Sequence, residues 1–295
     1  MNLEHSRLAL GTVQFGLSYG IANRTGQVSE SEAKAMLAVA SRSGINLLDT
    51  AIAYGSSEVC LGTAGVAGFR IVTKLPSFQQ SCSDDEAAEW VRRQVEESLS
   101  RLKTDSLYGV LVHQPNQLLG INGKAILGAL QNLKSCGVLQ KWGVSIYAPA
   151  ELETLMPMFG PDIVQAPFNL LDRRLHTSGW LRRLRDHGVE VHVRSAFLQG
   201  LLLMRGNDIS AKFSPWAGLF AKWQDWLKDS NVSALNACIR FPMSFPEIDK
   251  VVVGADSAEQ LRQIVAAAAA PTVGAFPEIE CEDEQLLHPS QWSQL

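Results

Sequence analysis

Eight short apolar runs, separated by segments of helical spacing, constrain this chain more than any other feature. They are RLALGTV (7–13), INLLD (45–49), RIVTK (70–74), LYGVLVH (107–113), KWGVSI (141–146), DIVQA (162–166), VEVHVRS (189–195) and DKVVVG (249–254). Several are rich in Val, Ile and Leu with little alternation, the pattern of strands buried on both faces. Between them the spacing predicts helices over 29–43, 84–101, 122–135, 148–159, 173–187 and 257–270. The first opens on a Ser-x-x-Glu capping box, Ser29 to Glu32, and the last stops before Pro271. Eight strands, mostly with a helix between neighbours, predict an α/β fold of one domain, a (β/α)8 TIM barrel. A doubly wound sheet is the rival, but no GxGxxG follows any strand. The stretch 200–249 is too long for a simple connection. It predicts a second helical run and a loop over the active face, and a tail follows at 272–295.

Composition narrows the function classes. A net charge of −4 and a pI near 5.9 give no electrostatic reason to expect nucleic acid or an anionic membrane. The five cysteines, Cys60, Cys82, Cys136, Cys238 and Cys281, are scattered without metal spacing, so no metal site is expected and free thiols are. The opening MNLEHSRLAL does not read as a signal peptide, and no apolar run approaches the ~20 residues that span a bilayer. A cytoplasmic protein acting on a small molecule is the expectation. The cluster Arg173, Arg174, Arg182, Arg183 and Arg185 reads as the solvated face of a helix.

Four residues at or just past strand ends carry chemistry: Asp49 and Tyr54 in LLDTAIAYG, Lys74 in IVTKLP and His113 in VLVHQP. Catalytic groups presented from the ends of several strands are the pattern of a barrel enzyme. A tyrosine can donate a proton, and a nearby ammonium makes it a better donor. An aspartate can hold the lysine, and a histidine can orient a carbonyl. Each residue alone also has a bland reading, as a strand-end cap, a rim aromatic, a surface lysine or a satisfied core histidine.

The ordered series LGTVQFGLSYGIANRTGQVSE, LLDTAIAYG, KLP, VHQ, WGVSIY, VQAPFNLLD, RSAFLQGLLL and VVVGADSAEQL resembles the aldo-keto reductase family, from about Leu8 to Ala267. The resemblance implies a nicotinamide dinucleotide bound without a Rossmann motif, NADP(H) in preference to NAD(H). It makes Tyr54 the general acid, pairs Lys74 with Asp49, and sets His113 on the substrate oxygen. It also implies that Gly11, Thr12, Ser145, Gln165 and Asn169 belong to the cofactor face. Ser195, Phe197, Gln199, Gly200 and Leu201 match its pyrophosphate stretch. Gly254 and Asp256 open a helix suited to the adenosine-side phosphate, with Gln260 and Gln263 near the adenine.

This chain departs from the family pattern at four positions. Ile146 stands where Asn is common, and Arg194 where an aromatic stacks on the nicotinamide. Arg194 either supports the ring through its own π face or forms an ion pair. Asp256 and Ile264 replace groups that often favour a 2′-phosphate, which leaves NAD(H) open unless Arg262 or the 205–216 loop supplies charge. Asp256 equally suits a helix cap. Phe15, Tyr19, Ile52, Phe213 and Trp216 are candidate substrate-pocket residues, with Trp216 also suited to packing on the cofactor loop. The tail DEQLLHPSQW and the run TVQFGLSYGIANRTGQ resemble a bacterial subgroup near sugar and polysaccharide genes, which implies a sugar carbonyl. Two other functions stay open at this point. One is a Schiff-base aldolase using Lys74; the other is a cofactor-sensing barrel without turnover.

Overall fold

In the computed structural model, which describes residues 7–78, 82–271 and 274–295, eight parallel strands close into one barrel. They are β1 (Leu8–Gly11), β2 (Leu47–Asp49), β3 (Arg70–Leu75), β4 (Leu107–Val112), β5 (Leu139–Ser145), β6 (Ile163–Pro167), β7 (Glu190–Arg194) and β8 (Lys250–Gly254). Strand order follows the sequence, and β1 pairs with β8 from Leu8↔Val251 to Gly11↔Gly254. The single-domain (β/α)8 expectation holds.

Helices pack outside the strands. They are α1 (Glu30–Arg42), α2 (Ser57–Ala64), α3 (Asp84–Leu102), α4 (Gly123–Ser135), α5 (Glu151–Phe159), α6 (Arg174–Thr177), α7 (Trp180–Asp186), α8 (Ala217–Ser230), α9 (Ala234–Met243), α10 (Ala258–Ala268) and α11 (Glu284–Leu287). The expected helix over 173–187 is two short ones, because Gly179 takes a left-handed φ of 77° between them. Helix α2 was not expected. It buries Ser57 and Glu58 rather than an apolar stripe, so it lacks the period that announces a helix. Glu58 accepts from Thr73 and Ser98, each at 2.6 Å, and pairs with Arg101 at 2.8 Å, tying α2 to β3 and α3.

The capping box at Ser29 is half formed. Ser29 accepts from the Glu32 amide at 3.2 Å, but the Glu32 carboxylate reaches across to the Ala258 amide at 2.5 Å. It thereby caps the helix that follows β8 instead of its own.

Strand periodicity sets the site. Successive side chains alternate between the barrel interior and the helices. Leu47, Val72, Leu111, Ile163 and Val252 belong to the small apolar cluster that fills the interior. Two positions further along each strand stand Asp49, Lys74, His113, Gln165 and Gly254. The polar layer at the C-terminal mouth is thus the next inward layer above an apolar plug. At the opposite mouth Glu190 accepts from Tyr108 at 2.6 Å and binds Lys141 and His192, which closes the barrel floor.

Candidate active site

At the end of β2, the Asp49 carboxylate is bonded on both oxygens. Oδ2 meets Lys74 Nζ at 2.7 Å, and Oδ1 accepts from Gln165 Nε2 at 2.7 Å. Lys74 also donates to the Thr50 carbonyl at 2.8 Å and is completely buried. A buried pair of this kind tolerates its desolvation only when each remaining donor and acceptor finds a partner. Ser145 donates to Gln165 Oε1 at 3.4 Å, extending the chain from β5 through β6 to β2 and β3.

Tyr54 sits in the tight turn between β2 and α2. Its amide donates to the Ala51 carbonyl, and its own carbonyl accepts from Ser57, both at 3.0 Å. The β1 loop presses on this turn so closely that a Cβ at Gly16 would lie 1.8 Å from the Tyr54 carbonyl oxygen. Lys74 Nζ is 5.1 Å from the Tyr54 ring centroid. The Tyr54 and His113 rings meet edge to face, with centroids 6.0 Å apart.

Charge in this cluster is arranged unevenly. Burial acts to lower the Lys74 pKa, but Asp49 and Tyr54 outweigh it and hold the amine charged above the ordinary lysine value. For His113, burial comes first, followed by the positive fields of Lys74 and Arg194, and together they bring its pKa down to about 4. His113 is therefore a neutral imidazole at physiological pH, able to donate from one ring nitrogen. A pKa lowered on folding favours the unprotonated form. The stability it contributes is complete above the ordinary histidine value of 6.5 and is lost as pH falls toward 4. Thermal unfolding should show wild type losing stability relative to His113→Asn as pH falls from 6.5 toward 4. A wild type that gains stability relative to His113→Asn on acidification would contradict the neutral imidazole.

Tyr54, His113 and Asp49 open onto a cleft of about 760 Å³ over the C-terminal ends of the strands. It runs past Arg194 and the turn after β7 to Asp256, Gln260 and Gln263 beyond β8. The β7 turn is backbone-strained: Ser195, Leu198 and Gln199 all take left-handed φ, at 63°, 46° and 53°. Such strain persists where the surroundings impose it and concentrates at ligand sites. Among the described residues the amides of Ala196, Phe197 and Gln199 have no hydrogen-bond partner in the protein.

The Aldo/keto reductase family profile matches residues 7–274. This chain belongs to the aldo-keto reductase family. An uncharacterised oxidoreductase of Bacillus subtilis is 26% identical over 286 residues, 90% of this chain and 88% of that protein. The L-galactose dehydrogenase of Arabidopsis thaliana is 27% identical over 97% of this chain and 93% of its own length. The holo form of an aldo-keto reductase from Bacillus halodurans has the same fold. Its TM-score is 0.73 at 21% identity, over 95% of this chain and 90% of that one. Membership makes this chain one of a family of oxidoreductases that act on small carbonyl compounds and generally use NAD(P)H.

Most residues expected at the cofactor of an aldo-keto reductase border the cleft: Gly11, Thr12, Arg194, Ser195, Phe197, Gln199, Gly200, Gly254, Asp256, Gln260 and Gln263. Ser145, Gln165 and Asn169 lie beneath it, almost completely buried, with Gln165 bonded to Asp49 and Asn169 to the Ser195 carbonyl. The Thr12 hydroxyl is also committed, donating to the Asp49 carbonyl at 3.0 Å.

The substrate-side expectations divide. Tyr19 borders the cleft and accepts from Gln199 at 3.1 Å. Phe15 is completely buried in the main core, and Ile52 packs against that core outside the cleft lining. Trp216 donates to Asp283 at 3.1 Å, and Phe213 stacks edge-on against Trp292 at 4.9 Å. These two residues hold the tail in place; they do not face the cleft.

Several lining residues were not anticipated. Gln14, Asn23 and Tyr147 border the cleft, and the tail brings Pro289 and Ser290 to its mouth. Asn23 donates to Asp256 Oδ1 at 3.2 Å. Three of the amides around the α10 N-terminus are already taken. Asp256 donates its amide to Gln260 Oε1, Ala258 to Glu32 and Gln260 to Ser257. Arg262 pairs with Glu259, and among the described residues Arg194 is the sole Lys or Arg in the lining. Of the arginines of 173–185, Arg182, Arg183 and Arg185 lie exposed on α7 as expected, with Arg183 stacked on Trp180 at 3.5 Å, whereas Arg173 and Arg174 are largely buried, Arg173 donating to the Pro277 carbonyl and Arg174 pairing with Asp172. Among the described residues no metal-binding cluster occurs, and no helix is long and apolar enough to cross a membrane.

Proposed function

We propose that this chain is an NAD(H)-dependent carbonyl reductase in which Tyr54 is the general acid. One observation carries the reading: Tyr54 and His113 face the same cleft directly above a buried, charged Lys74–Asp49 pair. When bound, the nicotinamide supplies the hydride to the carbonyl carbon. Tyr54 delivers the proton to the carbonyl oxygen, and neutral His113 donates a hydrogen bond to that oxygen as negative charge develops on it. Lys74, held charged by Asp49, favours the tyrosinate left behind. Lys74 is a poor Schiff-base nucleophile, since it is buried, charged and outside the cleft lining.

The residues fit a dinucleotide. The cleft is long enough to run from Tyr54 to Gln263, and the strained β7 turn offers unpaired amides to a pyrophosphate. At the adenosine end the lining supplies a carboxylate and neutral amides and, among the described residues, no Lys or Arg. A ribose 2′-hydroxyl suits Asp256, while a 2′-phosphate meets repulsion there. We therefore favour NAD(H) over the NADP(H) that the family pattern suggests. The L-galactose dehydrogenase relative and the resemblance of the tail support a sugar aldehyde as substrate.

Titration of NADH and NADPH tests the nucleotide preference. Wild type should bind NADH at least about tenfold more tightly, and Asp256→Arg should reverse the order. Equal affinity in wild type, unchanged by Asp256→Arg, would assign Asp256 to the helix end alone. A panel of sugar and simple aldehydes, followed by NADH consumption, tests the activity itself. Tight cofactor binding without turnover would favour the sensor reading.

A further inference from the structure

Arg194 ends β7 and borders the cleft beside Tyr54 and His113. Its guanidinium lies 4.6 Å from the Tyr147 ring centroid, and Nη2 donates to the Ile146 carbonyl at 3.0 Å. The remaining contact described is Nη1 with the Ser195 hydroxyl at 3.4 Å. These contacts fix the cation without neutralising it, since all three partners are uncharged. Among the described residues no carboxylate forms an ion pair with Arg194. The other cation of the site, Lys74, is matched by Asp49 at 2.7 Å.

One unmatched positive charge therefore borders the space where reacting groups meet. Its field reaches the neighbours: after burial and Lys74, Arg194 contributes to the depressed pKa of His113. A field that opposes an imidazolium opposes any other cation in the same space. The two redox forms of a nicotinamide differ in this property. The oxidised ring carries a delocalised positive charge, and the dihydro ring is neutral.

We infer that Arg194 makes the site distinguish the redox forms of its dinucleotide, binding the reduced form more tightly and so keeping the enzyme loaded with the hydride donor. The inference rests on the proposed nicotinamide site. The overall exchange is balanced: two electrons and one hydrogen pass as hydride to the carbonyl carbon, and a proton comes from Tyr54. The product side holds an alcohol and an oxidised ring, and Arg194 disfavours only the latter. A difference in affinity between two forms shifts the equilibrium of the bound couple by the same factor, here toward the reduced ring, so the preference acts through loading of NADH and release of NAD⁺. Like charges brought together in a half-buried cleft interact strongly enough to give a discrimination of at least about tenfold.

The test needs no substrate. Wild type, Arg194→Met and Arg194→Lys are titrated with NADH and with NAD⁺, with Arg194→Gln as a second neutral variant should the methionine protein fold poorly. The expected result is a wild-type preference for NADH of at least about tenfold, kept by lysine and reduced to within about threefold by methionine or glutamine. Equal wild-type affinity for both forms overturns the inference and leaves the reductase reading intact. So does a preference that survives removal of the charge. Wild type that binds neither form, and neither NADPH nor NADP⁺, overturns the nicotinamide reading and this inference with it.

Discussion

Tyr54→Phe is expected to lower kcat for aldehyde reduction by roughly 10³-fold, within the range that positioned acid catalysis contributes. The NADH dissociation constant should stay within about twofold, because the ring and its turn remain. The expectation follows from position. Its hydroxyl is the proton donor beside Lys74 that also opens onto the cleft, and its ring meets that of His113 edge to face with centroids 6.0 Å apart. His113 cannot replace it, since a pKa brought down to about 4 leaves too little imidazolium at neutral pH. Steady-state kinetics with a fluorescence titration of NADH separate the two effects. Near-normal turnover in Tyr54→Phe would move the acid elsewhere.

Lys74→Met has a larger expected effect on folding. The substitution leaves the Asp49 carboxylate buried with Gln165 as its remaining side-chain partner. Breaking one side of a buried ion pair costs about 3–5 kcal/mol. The double variant Lys74→Met with Asp49→Leu removes both charges and should recover most of that loss while remaining inactive. The pH dependence has a defined sign. The Lys74 pKa is raised on folding, so its stabilisation is complete below the ordinary lysine value of 10.5 and fades as pH rises past it. Denaturant unfolding of wild type and Lys74→Met should therefore show a constant gap from pH 6 to 9. A gap confined to acidic pH would mean that the pair is not what holds the site together.

The barrel and the four central residues were legible for one physical reason. Strands buried on both faces leave continuous Val and Ile runs, and the residues past their ends fall at a fixed period of two. Leu47 predicts the direction of Asp49, and Val72 that of Lys74. Elements without that contrast were missed. Helix α2 anchors itself through Glu58, whose partners Ser98 and Arg101 lie about forty residues away. Long-range bonds have no local signature either. Gln165 reads as a cofactor ligand from its motif, yet it bonds Asp49 across 116 residues of sequence. Asn23 reaches Asp256 across 233. Phe15 reads as a pocket aromatic from its place near the barrel mouth, but the adjacent 3-10 turn, Val13–Phe15, directs it into the core. Trp216 and Phe213 bind a tail whose own docking, through Trp292 and Asp283, nothing local in the sequence indicates.

Hydride transfer itself is the central claim, and isotope transfer tests it most directly. The protein is incubated with NADH deuterated at nicotinamide C4 and a small sugar aldehyde, and the alcohol is examined by mass spectrometry. The account predicts one deuterium on the former carbonyl carbon, formed by wild type and not by Tyr54→Phe. Alcohol without deuterium from either C4 face, or no alcohol from any aldehyde despite bound NADH, would contradict it.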